Sequence, residues 1–116
     1  MPRFVILEHD HPYFHWDLML EAGDVLRAWR LDAPPRAGHS LRAEPIGDHR
    51  SAYLDYEGPV SGGRGSVTRW DVGVFSWDES GADRLTLVLD GNRCRGRAVL
   101  QRMESGEWSL MLETVS

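Results

Sequence analysis

Hydrophobic and polar positions along the chain alternate with a period of two in most of its ordered-looking stretches, and no stretch of helix length carries a 3.6-residue period. "RFVIL" at 3–7 is a short apolar run rich in β-formers. "HWDLMLE" at 15–21 then alternates, with Trp16, Leu18 and Leu20 on one face and His15, Asp17, Met19 and Glu21 on the other. "EAGD" reads as a turn and "VLRAWRL" as the returning strand of a hairpin. "DAPPRAGHS" at 32–40 is a loop, "SLRA" a brief strand, and "YLDYE" an extended or edge segment, with room for a short helix around 47–53. "GPVSGGRG" at 58–65 holds four glycines and a proline and reads as a tightly turned loop.

Further on, "SVTRWDVGVFSWD" predicts one or two strands with an interruption at Asp71–Gly73. "RLTLVLDGNRCRGRAVLQRM" predicts a hairpin that turns at Asp90–Gly91, and "WSLMLETV" a last strand. Seven to nine short, mostly antiparallel strands make the chain all-β. A compact small β-barrel is favoured over a sandwich, because closure removes the edge strands a small sheet would expose.

At 116 residues the chain is expected to form a single domain over 1–116, large enough to fold without a disulfide framework or a structural metal. Its one cysteine, Cys94, excludes an internal disulfide and reads as a structural or incidental thiol, reactive only if exposed. No secretory signal and no run of about 18 apolar residues is found, so the expected location is cytoplasmic, without membrane attachment. The net charge of −5 argues against a broad electrostatic nucleic-acid binder, while leaving room for a small site that acts on a nucleic-acid end. All thirteen basic residues are arginine. Alternating arginines in "NRCRGR" fit a solvent face, Trp29, Trp70, Trp77 and Trp108 fit the core or its lid, and His39 is incidental.

Candidate chemistry concentrates in "EHDHPYFHWDLMLE". On a strand, His15 and Asp17 project from one side, about 6.5–7 Å apart along the backbone. A turn at 10–13 would fold His9 back towards them. Two imidazoles and a carboxylate form a borderline ligand set suited to Mn²⁺, Zn²⁺ or Fe²⁺ rather than Ca²⁺. From these residues alone, a hydrated surface cluster is the alternative. His11 is a loop residue or a substrate contact; Glu8 and Asp10 are solvated or orient a ligand.

"FVILEHDHPYFHWDLMLEAGDVLRAW", followed by "DHRSAYLDYEG" and later by "GRAVLQRM", resembles the 3′-phosphoesterase domain of bacterial and archaeal DNA ligase D, a domain also found as stand-alone proteins. The resemblance extends from about Phe4 to Leu112. It implies a compact β-barrel whose activity depends on a divalent metal, Mn²⁺ first and Zn²⁺ or Co²⁺ next. It further implies removal of 3′-phosphates and 3′-terminal ribonucleotides from DNA or RNA-containing primer 3′ ends during DNA repair, alongside a ligase or polymerase of the same pathway. The family's metal ligands fall on His9, His15 and Asp17, a further active-site histidine on His49, and a tyrosine near the phosphate on Tyr53.

Several family cations are replaced. Met19 stands where the family has the arginine of D-F-R-L-E, "LDAPP" replaces P-K-G-P with its lysine, Pro45 replaces an arginine, and the glycine-rich loop is shortened to "VSGGRG". Arg42, Arg50 and Arg64 are the candidate substitutes for holding phosphate. The expected function is thus a metal-dependent phosphoesterase acting on DNA 3′ ends. The alternatives are a weak or inactive module that binds nucleic-acid ends or a repair partner, and a small-molecule phosphoesterase.

Overall fold

The β-rich runs pair in the order in which they leave the turns. In the computed structural model, which describes residues 1–113, nine antiparallel strands form: β1 (Arg3–His9), β2 (His15–Ala22), β3 (Val25–Leu31), β4 (Ser40–Arg50), β5 (Gly58–Pro59), β6 (Ser66–Ser80), β7 (Arg84–Gly91), β8 (Arg95–Arg102) and β9 (Trp108–Glu113). A 3₁₀ helix, Ser51–Leu54, falls where a short helix had room. Of the predicted last strand, Thr114 and Val115 lie outside the described residues.

The sheet runs β1-β2-β3-β4-β9-β8-β7-β6, and β6 pairs back onto β1, so eight strands close a ring; β5 adds to β6. The expected closure is therefore present. β6 makes it possible. Its first half pairs with β1 through Val74 and its second half, from Gly73 onward, with β7, and the strand bends where the register with β1 shifts between Ile6 and Leu7. The interruption predicted at Asp71–Gly73 is thus a bend inside one 15-residue strand. β4 is longer than the predicted brief strand. It accommodates Pro45 because residues 43–50 pair with β3, whereas pairing with β9 is confined to 40–42.

Alternation decides what fills the ring. Phe4, Ile6, Leu18, Leu20, Leu31, Phe75, Leu87, Leu100 and Leu110 come from strands all around it and form one buried cluster, with Trp29 among them. Each such side chain contributes about 1.5–3 kcal/mol on burial. The opposite face of β1 and β2 is buried too. Val5, Leu7 and Met19 pack with Leu26, Ala28, Leu54 and Val67 in a second cluster outside the ring, covered by the crossing segment that holds the 3₁₀ helix. That two-sided burial explains why "FVIL" is continuously apolar rather than alternating.

Asp71 is 2% exposed and acts as the anchor of a distant turn. Its Oδ1 accepts the N–H groups of Asn92 and Arg93 at 2.8 and 3.0 Å, and its Oδ2 that of Cys94 at 2.8 Å. Gly73 and Gly91 make this approach possible, since a side chain at either would overlap Asp90 or Asp71 respectively. Cys94 is buried beside this carboxylate. Desolvation first, and the Asp71 charge second, push its thiol up to about 12.

Replacing Asp71→Ala should therefore cost about 3–5 kcal/mol in urea unfolding, because three turn N–H groups lose a charged acceptor; a loss under 1 kcal/mol would contradict the assigned anchor. The Cys94 thiol should resist a thiol reagent in the native protein and react once unfolded. Because its folded pKa is raised, stability from this group is complete below the ordinary value of 9.0 and is lost as pH rises towards about 12. Rapid labelling of native protein at pH 8 would contradict this.

Candidate metal centre

β1 and β2 form a hairpin whose register places His9 directly opposite His15, with Leu7 opposite Asp17 and Val5 opposite Met19. These six residues share the outer face, and Leu7 and Met19 form an apolar floor at the site's edge. His15 is fully buried and Asp17 is 4% exposed. Their ligating atoms and one from His9 all lie within 4.8 Å of one another. No other group of three or more His, Cys, Asp or Glu side chains with that property occurs among the described residues.

Each imidazole is oriented by a backbone carbonyl. His15 Nδ1 lies 3.0 Å from the Tyr13 carbonyl and His9 Nε2 lies 2.7 Å from the Arg64 carbonyl. A carbonyl only accepts, so both of these nitrogens carry the proton and donate. The remaining nitrogens therefore turn inward: His15 Nε2 to 3.2 Å and His9 Nδ1 to 3.9 Å from the same oxygen, Asp17 Oδ2. Two lone pairs facing a carboxylate repel unless positive charge lies among them. His15 Nε2 is within hydrogen-bond distance of that oxygen and His9 Nδ1 is not, whereas one divalent cation would serve all three groups at once. Asp17 Oδ1 is buried without a hydrogen-bond partner, leaving coordinating capacity on the same side chain. Carbonyl-oriented imidazoles with a carboxylate are the arrangement a borderline divalent ion requires, and these residues fit one.

The loops that supply the orienting carbonyls are locked together. Asp10 Oδ1 accepts the Ser66 N–H at 2.7 Å, Asp10 N–H donates to the Ser66 carbonyl at 3.3 Å, and Val60 N–H donates to the Gly65 carbonyl at 2.7 Å. Gly65 sits at φ +73°, and a side chain there would overlap the Asp10 carboxylate. Asp10 is thus a loop fastener. Glu8 turns to the other face and accepts the Trp16 indole N–H at 3.2 Å, so it orients neither imidazole.

Next to the ligands is a cavity of about 100 Å³ lined by His9, Asp17, Met19, His49, Tyr53 and Arg64, among others. His49 Nδ1 donates to the Gly47 carbonyl at 2.8 Å, which leaves Nε2 free. Its ring meets Tyr53 edge-on at 5.9 Å. The fold therefore brings together His9, His15, Asp17, His49 and Tyr53, residues separated by up to 44 positions in sequence.

The arginines divide. Arg64 lines the cavity, but its guanidinium is folded onto Ser61, with Nε 2.7 Å from the carbonyl and a terminal nitrogen 3.1 Å from Oγ; its carbonyl is what meets His9. Arg50 is exposed and lines a neighbouring pocket that also has Tyr53 in its wall. Arg42 does not line this cavity: it faces Ser109 across the β4–β9 pairing and lies 3.8 Å from Glu107. His11 is exposed in the 10–14 loop, its ring 6.4 Å from that of His9. Two contributors escaped the sequence reading, the carbonyls of Tyr13 and Arg64, because a backbone acceptor leaves no residue-type signal.

Residues 7–102 match the family model of the DNA ligase D 3′-phosphoesterase domain. The chain is also 25% identical over 122 aligned positions to the multifunctional non-homologous end joining protein LigD of Mycolicibacterium smegmatis, an alignment covering 91% of this chain and 16% of that protein. The chain thus spans about one-sixth of the length of that relative. With five side chains of the cavity and its ligand cluster inside the matched stretch, the chain belongs to the DNA ligase D 3′-phosphoesterase domain family.

Proposed function

We propose that this chain is a divalent-metal-dependent phosphoesterase that removes 3′-phosphates or 3′-terminal ribonucleotides from nucleic-acid ends, as part of DNA repair. The observation that carries this reading is the convergence of two carbonyl-oriented imidazole nitrogens on one Asp17 oxygen, at the edge of a cavity that also holds His49 and Tyr53.

His9, His15 and Asp17 would hold the ion, with Mn²⁺ the first choice and Zn²⁺ or Co²⁺ close behind. Bound there, a divalent cation would supply positive charge against the phosphate and Lewis-acid activation of water near neutral pH. The chain's own groups supply the rest. Carbonyl contacts hold both imidazoles in the required tautomer, so no rotation is needed when the ligand set forms. His49, with Nδ1–H already committed to Gly47, presents Nε2 to the cavity, where it accepts a proton or, once protonated, donates to a phosphate oxygen or the leaving alkoxide. Tyr53, in the wall of the same cavity, would donate from its hydroxyl to a nonbridging oxygen.

A second reading, a module that binds ends with little turnover, draws support from Met19. This thioether lines the cavity where the family resemblance places a guanidinium, and it offers phosphate no hydrogen bond. The Arg64 guanidinium is meanwhile engaged with Ser61.

Saturating Mn²⁺ should raise the melting temperature by several degrees over the chelator-treated protein, as expected when an ion binds only the folded state. His15→Ala should abolish that rise and lower release of 3′-phosphate from a primer–template by at least about 100-fold. Identical melting with Mn²⁺ and with chelator, or unchanged turnover in the variant, would contradict the ligand assignment. Met19→Arg should increase 3′-phosphate turnover by roughly tenfold if a charge-assisted hydrogen bond is what the cavity lacks. Failure of this variant to exceed wild type, when it folds and binds metal normally, would refute that explanation.

A further inference from the structure

Beside the metal cavity lies a larger pocket of about 230 Å³, and Tyr53 and Val60 belong to the walls of both. Arg50, Tyr56, Pro59 and Ser61 complete much of the larger one. An aromatic track leads from one to the other. His49 meets Tyr53 edge-on at 5.9 Å, and Tyr53 meets Tyr56 edge-on, also at 5.9 Å. Tyr56 is 38% exposed, a large share for an aromatic ring.

Its position is nevertheless fixed. The Tyr56 hydroxyl donates to the Pro59 carbonyl, which closes residues 56–59 into a tight loop. Gly58, at φ +135°, allows this closure, since a side chain there would stand 3.2 Å from the Tyr56 hydroxyl oxygen. Residue 55 is tied down as well: Arg3 holds the Asp55 carboxylate at 2.6 Å, and that hydrogen bond keeps the acid below its ordinary range. β5 then pairs Gly58 and Pro59 with Val67 and Ser66. The ring is held ready rather than free to collapse onto the surface, so a stacking partner meets little ordering cost in this chain.

We propose that this pocket is a nucleobase subsite, in which the base of the nucleoside that bears the 3′-phosphate stacks on Tyr56 and Pro59 while its phosphate enters the metal cavity. The inference rests on the phosphoesterase reading and adds the part of the substrate the chain grips. A wall shared with the metal cavity selects a ligand whose ring and phosphate lie within a sugar's length of each other. Arg50, exposed at the rim, supplies positive charge for the next phosphate along the strand. The lining offers little for base identity. The Ser61 hydroxyl is engaged with Arg64 and the Tyr56 hydroxyl with Pro59, so recognition through the π face tolerates any base.

The test is a titration of the full chain, in Zn²⁺, with adenosine 3′-monophosphate, cytidine 3′-monophosphate, ribose 5-phosphate and inorganic phosphate. Tyrosine ring signals and the amides of 50–61 are followed by NMR, while ³¹P spectra of the same samples record any phosphate released. Both nucleotides should bind about tenfold or more tightly than ribose 5-phosphate and shift the Tyr56 ring signals. Tyr56→Leu and Tyr56→Ala should each erase that advantage, and Tyr56→Phe, which keeps the π face but loses the hydroxyl contact to Pro59, should retain part of it. Equal binding of nucleotides and ribose 5-phosphate, binding of none of them, or an advantage that survives in Tyr56→Leu would overturn the subsite. A base-dependent advantage without released phosphate would support the subsite and count against the hydrolytic reading instead.

Discussion

The site depends on the register of one hairpin. His9 stands opposite His15 in a register that keeps Phe4, Ile6, Leu18 and Leu20 inside the ring. A slip of one residue in β2 would turn the His15 imidazole and the Asp17 carboxylate into that interior, away from His9, and put Leu18 and Leu20 outside. The packing that drives folding thus also sets the spacing of the candidate ligands.

Those strands are unusual in being buried on both sides. The outer face is covered by the crossing segment, which brings Leu54 and Tyr53 down onto β1 and β2 and then returns through the glycine loop to β6. The cover serves three ends. It buries His15 and Asp17, where a cation would gain most from fixed ligands and lose least to screening by water. It delivers the Arg64 carbonyl to His9, and it places His49 and Tyr53 at the cavity. The cost lies in backbone conformation. Gly62, Gly63 and Gly65 all take left-handed angles, and at Gly65 a side chain would also displace Asp10.

Much of this was legible in the sequence because it rests on alternation. The faces of "HWDLMLE", the turn at Asp90–Gly91 and the grouping of His9, His15 and Asp17 follow from a period of two plus turn chemistry. What stayed hidden depends on contacts between distant segments. Asp71 read as the start of an interruption within a strand, yet its carboxylate anchors a turn 21 to 23 residues away. Arg64 offered a guanidinium on paper and contributes a carbonyl in space. Arg42 shares its residue type with the other phosphate candidates, but β4 carries it to the β9 side of the ring, beside Glu107. Residue type indicates which chemistry is available; topology decides where it goes.

The central claim is that His9 and His15 present specific nitrogens to one ion. Anomalous diffraction from a crystal grown with Mn²⁺ tests it most directly. The account predicts a single strong peak about 2.0–2.3 Å from His9 Nδ1, His15 Nε2 and an Asp17 oxygen, with His9 Nε2 still donating to the Arg64 carbonyl. A peak held by other residues, or one reached through the opposite nitrogen of either ring, would contradict it.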